Sequence, residues 1–221
     1  MNLEDFVKWF GHASFLLKDE NGRKLLFLDP FELKDVKDKA DLVLITHAHF
    51  DHWSPVDLRK VLKESTNVVA VNGCSRLSLS ATLPPERFHM TEPFKEFSME
   101  GIKVKTIPAY NINPVRLKAH PRENNWVGYV VNINGKQIYH AGDTDFIPEM
   151  KQLKNIDVAM LPIGGTFTMD VNEAIEAANL IRAKVTLPIH YKRLLGDTYK
   201  EAEHRFKSGV KGEVALLEEF S

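Results

Sequence analysis

An apolar run, Asp41-Leu42-Val43-Leu44-Ile45-Thr46, stops abruptly at His47-Ala48-His49-Phe50-Asp51-His52. The run reads as a buried strand. The next six residues, Trp53-Ser54-Pro55-Val56-Asp57-Leu58, read as a helix start. Ser54 is placed to cap, Pro55 takes the first helical position, and Asp57 lies three residues past the cap. Three imidazoles and a carboxylate are therefore confined to the turn between a strand end and a helix. His47 and His49, two residues apart, lie on one side of an extended chain. The turn carries Asp51 and His52 round to another angle. Neutral imidazoles crowded about a carboxylate point to a divalent cation, for which His is the commonest ligand. Nine histidines in 221 residues make three within six positions improbable as coincidence.

The length predicts a single domain over residues 1–221, or two fused half-units sharing a core. A hydrophobic share of 43% and a charged share of 27% are those of an ordinary globular chain. A chain of this size buries roughly 70% of its unfolded surface and needs no disulfide. Cys74 is the only cysteine, which excludes an intrachain disulfide and a cysteine zinc site and fits a reducing compartment. A net charge of −1 argues against nucleic acid or an anionic membrane as partner and leaves a small-molecule substrate. Met1-Asn2-Leu3-Glu4-Asp5 has no basic, apolar leader pattern, and no apolar run approaches the roughly 20 residues of a membrane span. Together these point to the cytoplasm.

Along the chain, strands are predicted at 6–10, 13–18, 24–28, 41–46 and 67–71, with an Asn21-Gly22 hairpin turn. Helices are predicted at 55–64 and 75–83. Further strands are expected at 94–97, 102–107, 126–133 and 136–140, the last two joined by Asn134-Gly135. Residues 109–125 form a long basic loop rich in Pro and Asn. Helices at 147–153, 172–181 and 199–206 alternate with strands at 158–161, 185–189 and 213–217. Two strand-rich blocks, each followed by helix–strand alternation, predict two sheets face to face with helices outside, an α+β arrangement.

The sequence His-x-His-x-Asp-His after a hydrophobic strand resembles the signature of the metallo-β-lactamase superfamily. That resemblance implies a four-layer αββα sandwich with metal at one edge between the sheets. It also implies further ligands: Asp143 in Ala141-Gly142-Asp143-Thr144, and His190 closing Leu187-Pro188-Ile189. Trp9-Phe10-Gly11-His12 and Leu28-Asp29-Pro30 resemble a branch that includes the L-ascorbate-6-phosphate lactonase and N-acyl-phosphatidylethanolamine phospholipase D types, which implies assembly as a homo-oligomer. His12 is either a strand histidine or a group beside the metal or substrate. His140 reads as a supporting or core imidazole rather than a ligand. Asp29 reads as a carboxylate that orients a ligand imidazole. Gly164-Gly165 permits either a positive φ or a close backbone approach, and Asp170 or Thr168 caps the next helix.

The sequence departs from the family at one point. The family pattern supplies a third histidine after a Pro-Ala pair, but Pro108-Ala109-Tyr110-Asn111 places an amide there, a weaker ligand for zinc than imidazole. The set Asp51, His52, Asp143, His190 is complete; the set His47, His49 is one ligand short. Three outcomes are open: weak binding at that set, a harder ion such as manganese, or recruitment of His120 from the long loop. Arg116, Lys118, Arg122, Lys192 and Arg193 are either solvated charge or the flank of a cleft for an anionic substrate. The expectation is a hydrolase using metal-bound hydroxide, with one or two divalent ions, zinc first and manganese second, on a small anionic ester, lactone or phosphodiester. Asp51 is either a ligand or the base that orients the water. The rivals are a nuclease acting on RNA or DNA, and a metal-holding regulatory protein without activity.

Overall fold

Short apolar runs bounded by turn residues pair into two mixed sheets. The computed structural model describes residues 3–19, 21–133 and 135–220; Met1, Asn2 and the Asn134 of the second predicted turn lie outside them. The first sheet runs in chain order: β1 (Val7–Trp9), β2 (Phe15–Lys18), β3 (Leu25–Leu28), β4 (Leu42–Leu44), β5 (Asn67–Ala70) and β6 (Phe88–Met90). β1 to β3 are antiparallel and β3 to β6 parallel. The second sheet repeats the plan with β7 (Glu96–Met99), β8 (Ile102–Pro108), β9 (Val127–Ile133), β10 (Lys136–His140), β11 (Val158–Pro162), β12 (Val185–Ile189) and β13 (Glu213–Val214). Here β7 to β10 are antiparallel and β10 to β13 parallel.

Local chemistry explains the alternation. Antiparallel neighbours need only tight turns, whereas parallel neighbours need a crossover. Glu100 and Gly101, at φ of 53° and 79°, make the two-residue turn between β7 and β8, in the doubly left-handed geometry that suits strand twist. The β4–β5 crossover carries α1 (Pro55–Val61), where Ser54 Oγ accepts from the Asp57 N–H and Pro55 opens the helix. The β11–β12 crossover carries α2 (Val171–Ile181). Its buried residues Ala174, Ala177, Ala178 and Ile181 show the three-and-four spacing of a helix with one apolar face. Asp170 and Glu173 close its first turn as a reciprocal capping box. α3 (Lys192–Leu195) and α4 (Tyr199–Gly209) precede β13.

The sheets meet face to face through one apolar core. Tyr129 of β9 is fully buried and donates its hydroxyl to Ile45 O of the opposite sheet at 2.8 Å. Two backbone bonds tie the sheets at one edge, Val127 N to Thr46 O at 3.1 Å and His190 N to His12 O at 3.0 Å. The result is a four-layer αββα sandwich, as the family resemblance implies. Among the described residues no helix is long and apolar enough to cross a membrane.

Several elements differ from expectation. The predicted helix at 75–83 is only a 3-10 turn, Arg76–Leu79. Ser75 makes no capping bond, Ser78 Oγ donates to the Ser75 carbonyl, and Leu79 alone is buried in the turn. Hydroxyls that compete for the backbone and the lack of an apolar stripe leave little to hold a full helix. The segment at 147–153 is likewise a 3-10 turn, Pro148–Gln152, burying only Met150. β7 starts at Glu96 rather than 94, because Phe94 takes a φ of 65°. β6 is a short edge strand whose half-exposed pattern gives little periodic signal.

Candidate metal centre

The groups singled out in the sequence meet where parallel strands end, the usual place for a site in such sheets. Asp29 follows the last residue of β3, β4 leads to His47 through His52, β10 leads to Asp143, and His190 follows the last residue of β12. His12, Asp29 and His190 hold left-handed φ values of 51°, 43° and 55°. Such φ values are sparsely populated for non-glycine residues and tend to gather at functional sites. Gly164 serves His190 directly: a Cβ there would collide with the His190 carbonyl oxygen. Gly165 takes a φ of +78°, so the pair uses both freedoms that glycine offers.

Asp143 is buried at the middle of the cluster. His190 Nε2 lies 3.1 Å from its Oδ2, His120 Nε2 3.3 Å and His47 Nε2 3.9 Å. His52 Nε2 lies 3.4 Å from its Oδ1. Three overlapping donor sets lie within 4.8 Å: His47, His49 and His120; His47, His52 and Asp143; and His12, Asp51, His52 and His190. Of the three outcomes left open for the set of His47 and His49, the geometry matches the last, since His120 stands as its third imidazole.

Asn111 has its amide committed to hydrogen bonds beside these sets. It is buried, and its Nδ2 donates to Asp145 Oδ1 and to Phe167 O, both at 2.9 Å. Its Oδ1 is thereby turned to accept from the His120 N–H at 3.0 Å and from His120 Nδ1 at 2.9 Å. With Nδ1 protonated, His120 Nε2 keeps its lone pair. Asp29 does the same for the other set. Its carboxylate accepts from His52 Nδ1 at 2.7 Å, from the Thr46 N–H at 2.8 Å and from Thr46 Oγ1 at 2.6 Å. Thr46 Oγ1, its hydrogen committed to Asp29, accepts from His47 Nδ1 at 3.0 Å. Three imidazoles are thus fixed as Nδ1–H tautomers facing inward. Trp126 packs against His47, His49 and His120 at ring separations of 5.1, 4.9 and 5.7 Å.

The buried atoms His52 Nε2, His120 Nε2, Asp143 Oδ1 and His190 Nε2 have no hydrogen-bond partner. Buried polar atoms are seldom left so, and inward nitrogen and carboxylate lone pairs without protein donors are what a divalent cation requires. The electrostatics call for positive charge beside the buried carboxylates: despite burial, Asp143 and Asp29 raise His52 above the usual imidazole range. Burial, with His52 alongside, holds His47 well below the usual imidazole range, and burial lowers His49 too. Burial pushes the Asp143 carboxyl up, but His190 and His52 outweigh it and hold the group well below the usual range. Burial likewise opposes the Asp51 charge, and the His12 hydrogen bond with His190 beside it reverses that. His190, despite burial, is raised to about 10 by Asp143 and Asp51. The donor set fits a divalent metal.

Other residues expected near the centre divide into those that reach it and those that do not. His12 Nε2 bonds Asp51 Oδ2 at 2.9 Å, so it touches the centre. His140 does not: its Nε2 donates to Ala13 O at 2.9 Å and its Nδ1 accepts from the Gly142 N–H at 3.2 Å. Arg116 does not line a cleft; it is buried between Asp145 and Glu173. Arg122 pairs with Glu149 at 3.2 Å, over the Tyr110 ring. Sequence reasoning missed Asp145, Trp126 and the Phe167 carbonyl. The one available signal was a second carboxylate two residues after Asp143.

A family model described as a beta-lactamase superfamily domain matches residues 6–190, from just before His12 to His190 itself. A UPF0173 metal-dependent hydrolase of Nanoarchaeum equitans is 32% identical over 96% of this chain and 95% of its own. One from Methanoregula boonei is 37% identical over 84% of this chain and 81% of its own. A crystal structure from Parabacteroides distasonis superposes with a TM-score of 0.79 at 33% identity, covering 97% of this chain and 93% of that one. The chain belongs to the beta-lactamase superfamily and, within it, to the UPF0173 metal-dependent hydrolases.

Proposed function

We propose that the protein hydrolyses a small anionic ester, lactone or phosphodiester with divalent cations gathered around Asp143. His47, His49 and His120 would hold one cation; Asp51, His52 and His190 would hold another. The observation that supports this most is the convergence of four unpartnered or closely approaching imidazole nitrogens on the Asp143 carboxylate, within 3.1 to 3.9 Å. Five imidazoles against two carboxylates favour zinc over manganese, which prefers carboxylate and water.

When bound, divalent ions of this kind lower the pKa of a water from about 15.7 toward about 7 and polarise a carbonyl or phosphoryl oxygen. The chain's own residues do the rest. Asp29, Thr46 and Asn111 lock the imidazole tautomers, so no reorganisation is needed when charge develops. Asp51 stays ionised and keeps one carboxylate oxygen clear of His12, ready to orient the attacking water and accept its proton. His12 positions Asp51 through its Nε2–H.

Asp51→Asn keeps a ligand oxygen and removes the base. Against a panel of lactones, thioesters, phosphomonoesters and phosphodiesters with added zinc, manganese or nickel, its turnover falls by about a hundredfold or more. Metal content by elemental analysis stays the same. Unchanged turnover with metal retained overturns the role of Asp51; silence of the wild type across the panel overturns the hydrolase itself.

A further inference from the structure

Next to the metal centre lies a pocket whose basic residues the hydrolytic chemistry does not use. It encloses about 450 Å³ and is lined in part by His12, Phe31, Lys34, Lys192, Arg193 and Glu219. His12 is the wall it shares with the centre: its Nε2 reaches Asp51, its ring lies 3.7 Å from that of His190, and its buried Nδ1 has no partner. Lys192 and Arg193 come just after His190 at the start of α3, so the strand end that supplies a donor to the centre also supplies the cations of the pocket.

The cations are unequally engaged. Arg193 is held by Glu32 at 2.6 Å. Lys34 has no ion pair among the described residues. Lys192 is mostly buried, held over the rings of Trp9 at 4.6 Å and Tyr199 at 5.6 Å. Its only carboxylate neighbour among the described residues is Glu219, at 3.9 Å, too long for a hydrogen bond. An ammonium ordered by two aromatic faces and left with so loose a partner is prepared for a closer anion.

Glu219 reaches this place by a specific route. The segment 215–220 returns to β1, where the Phe220 N–H donates to Trp9 O at 2.7 Å. The Phe220 ring packs on Phe10 at 5.6 Å and under Lys8 Nζ at 4.0 Å. Glu219 then lies on Gly11, where a Cβ would come within 3.2 Å of its carboxylate carbon; Gly11 also has a φ of +97°. The backbone thus makes room for a carboxylate at the mouth of a basic pocket.

We propose that this pocket seats an oxyanion of the substrate, a carboxylate or a phosphate, remote from the bond that is cleaved. Glu219 holds the seat with its own carboxylate until the substrate displaces it. Lys192 and Lys34 are then specificity residues. This inference rests on the hydrolase reading only for the identity of the molecule that carries the anion.

The test is calorimetric titration of the metal-loaded full chain with inorganic phosphate and, separately, with succinate. Hydrolysis is not measured, so the outcome stands apart from the fate of the hydrolase reading. In Glu219→Gln the seat is vacated, and anion affinity rises about tenfold. In Lys192→Ala it falls about tenfold. Bound metal, counted by elemental analysis, is unchanged in both. A response to phosphate alone assigns a phosphate, one to succinate alone a carboxylate, and one to both a shared oxyanion seat. Equal affinity in all three proteins puts the anion elsewhere and overturns the proposal, as does the absence of binding by either anion.

Discussion

Asn111 shows how a single residue can mislead when read by motif and be understood when read by hydrogen bonds. Its position after Pro108-Ala109 suggests a lost ligand, yet its amide accepts from two His120 donors and gives both its hydrogens to Asp145 and Phe167 O. His120 stands beside His47 and His49 in the place the motif leaves open, and Asn111 orients it. Asn111→Leu removes that orientation while leaving every donor in place. We expect the affinity for one of the two cations to fall by about 10–100-fold, with the other cation held as before, as read by metal titration. Equal weakening of both, or of neither, would contradict the division into two sets. The sequence could show that the set of His47 and His49 lacked a partner. It could not show which histidine closes it, because His120 lies on a loop without periodicity.

At the scale of elements, that loop is what the rest of the site depends on. Residues 109–125 have no regular structure beyond a 3-10 turn at Arg122–Asn124, so propensity does not place them. Asp145 does. Its carboxylate accepts from the Ile112 N–H at 2.7 Å, the Asn113 N–H at 2.8 Å, Asn111 Nδ2 and Arg116. Arg116 continues to Glu173, whose carboxylate also closes the capping box of α2 through the Asp170 N–H at 2.8 Å. The loop is thus fastened at once to the end of β10 and to the start of α2. Arg116→Met leaves Asp145 as a buried charge without its partner, which costs about 3–5 kcal/mol. For a chain of this size the melting temperature falls by roughly 2–4 °C per kcal/mol. The same variant loses the cation of His120 before that of His190. A calorimetric melt and a metal count check both; a variant as stable as wild type would mean the network carries no load.

At the scale of the whole molecule, two halves of like topology each contribute part of one centre. The first sheet supplies Asp29, His47, His49, Asp51 and His52; Asp143 and His190 come from the second, and His120 from the loop between β8 and β9. Cations at that seam would bind only the folded chain. At a thousandfold excess over the dissociation constant, one such ion adds about 4.1 kcal/mol to stability. Chelation should lower the melting temperature by roughly 8–16 °C for each ion removed, and excess zinc should restore it. A melt indifferent to chelator would separate the donor cluster from the stability of the fold. The sequence by itself determined the donors of the first turn, the strand that delivers them and a pair of facing sheets, all of which arise from residue type and local periodicity. Asp143, His190 and the four-layer sandwich came through the family resemblance. The tertiary structure alone decided that His120 stands beside His47 and His49 and that Arg116 is a buried fastener rather than a surface cation. Both depend on partners of Arg116 that lie 29 and 57 residues away, Asp145 and Glu173, and no local pattern encodes where a closed loop will bring its side chains.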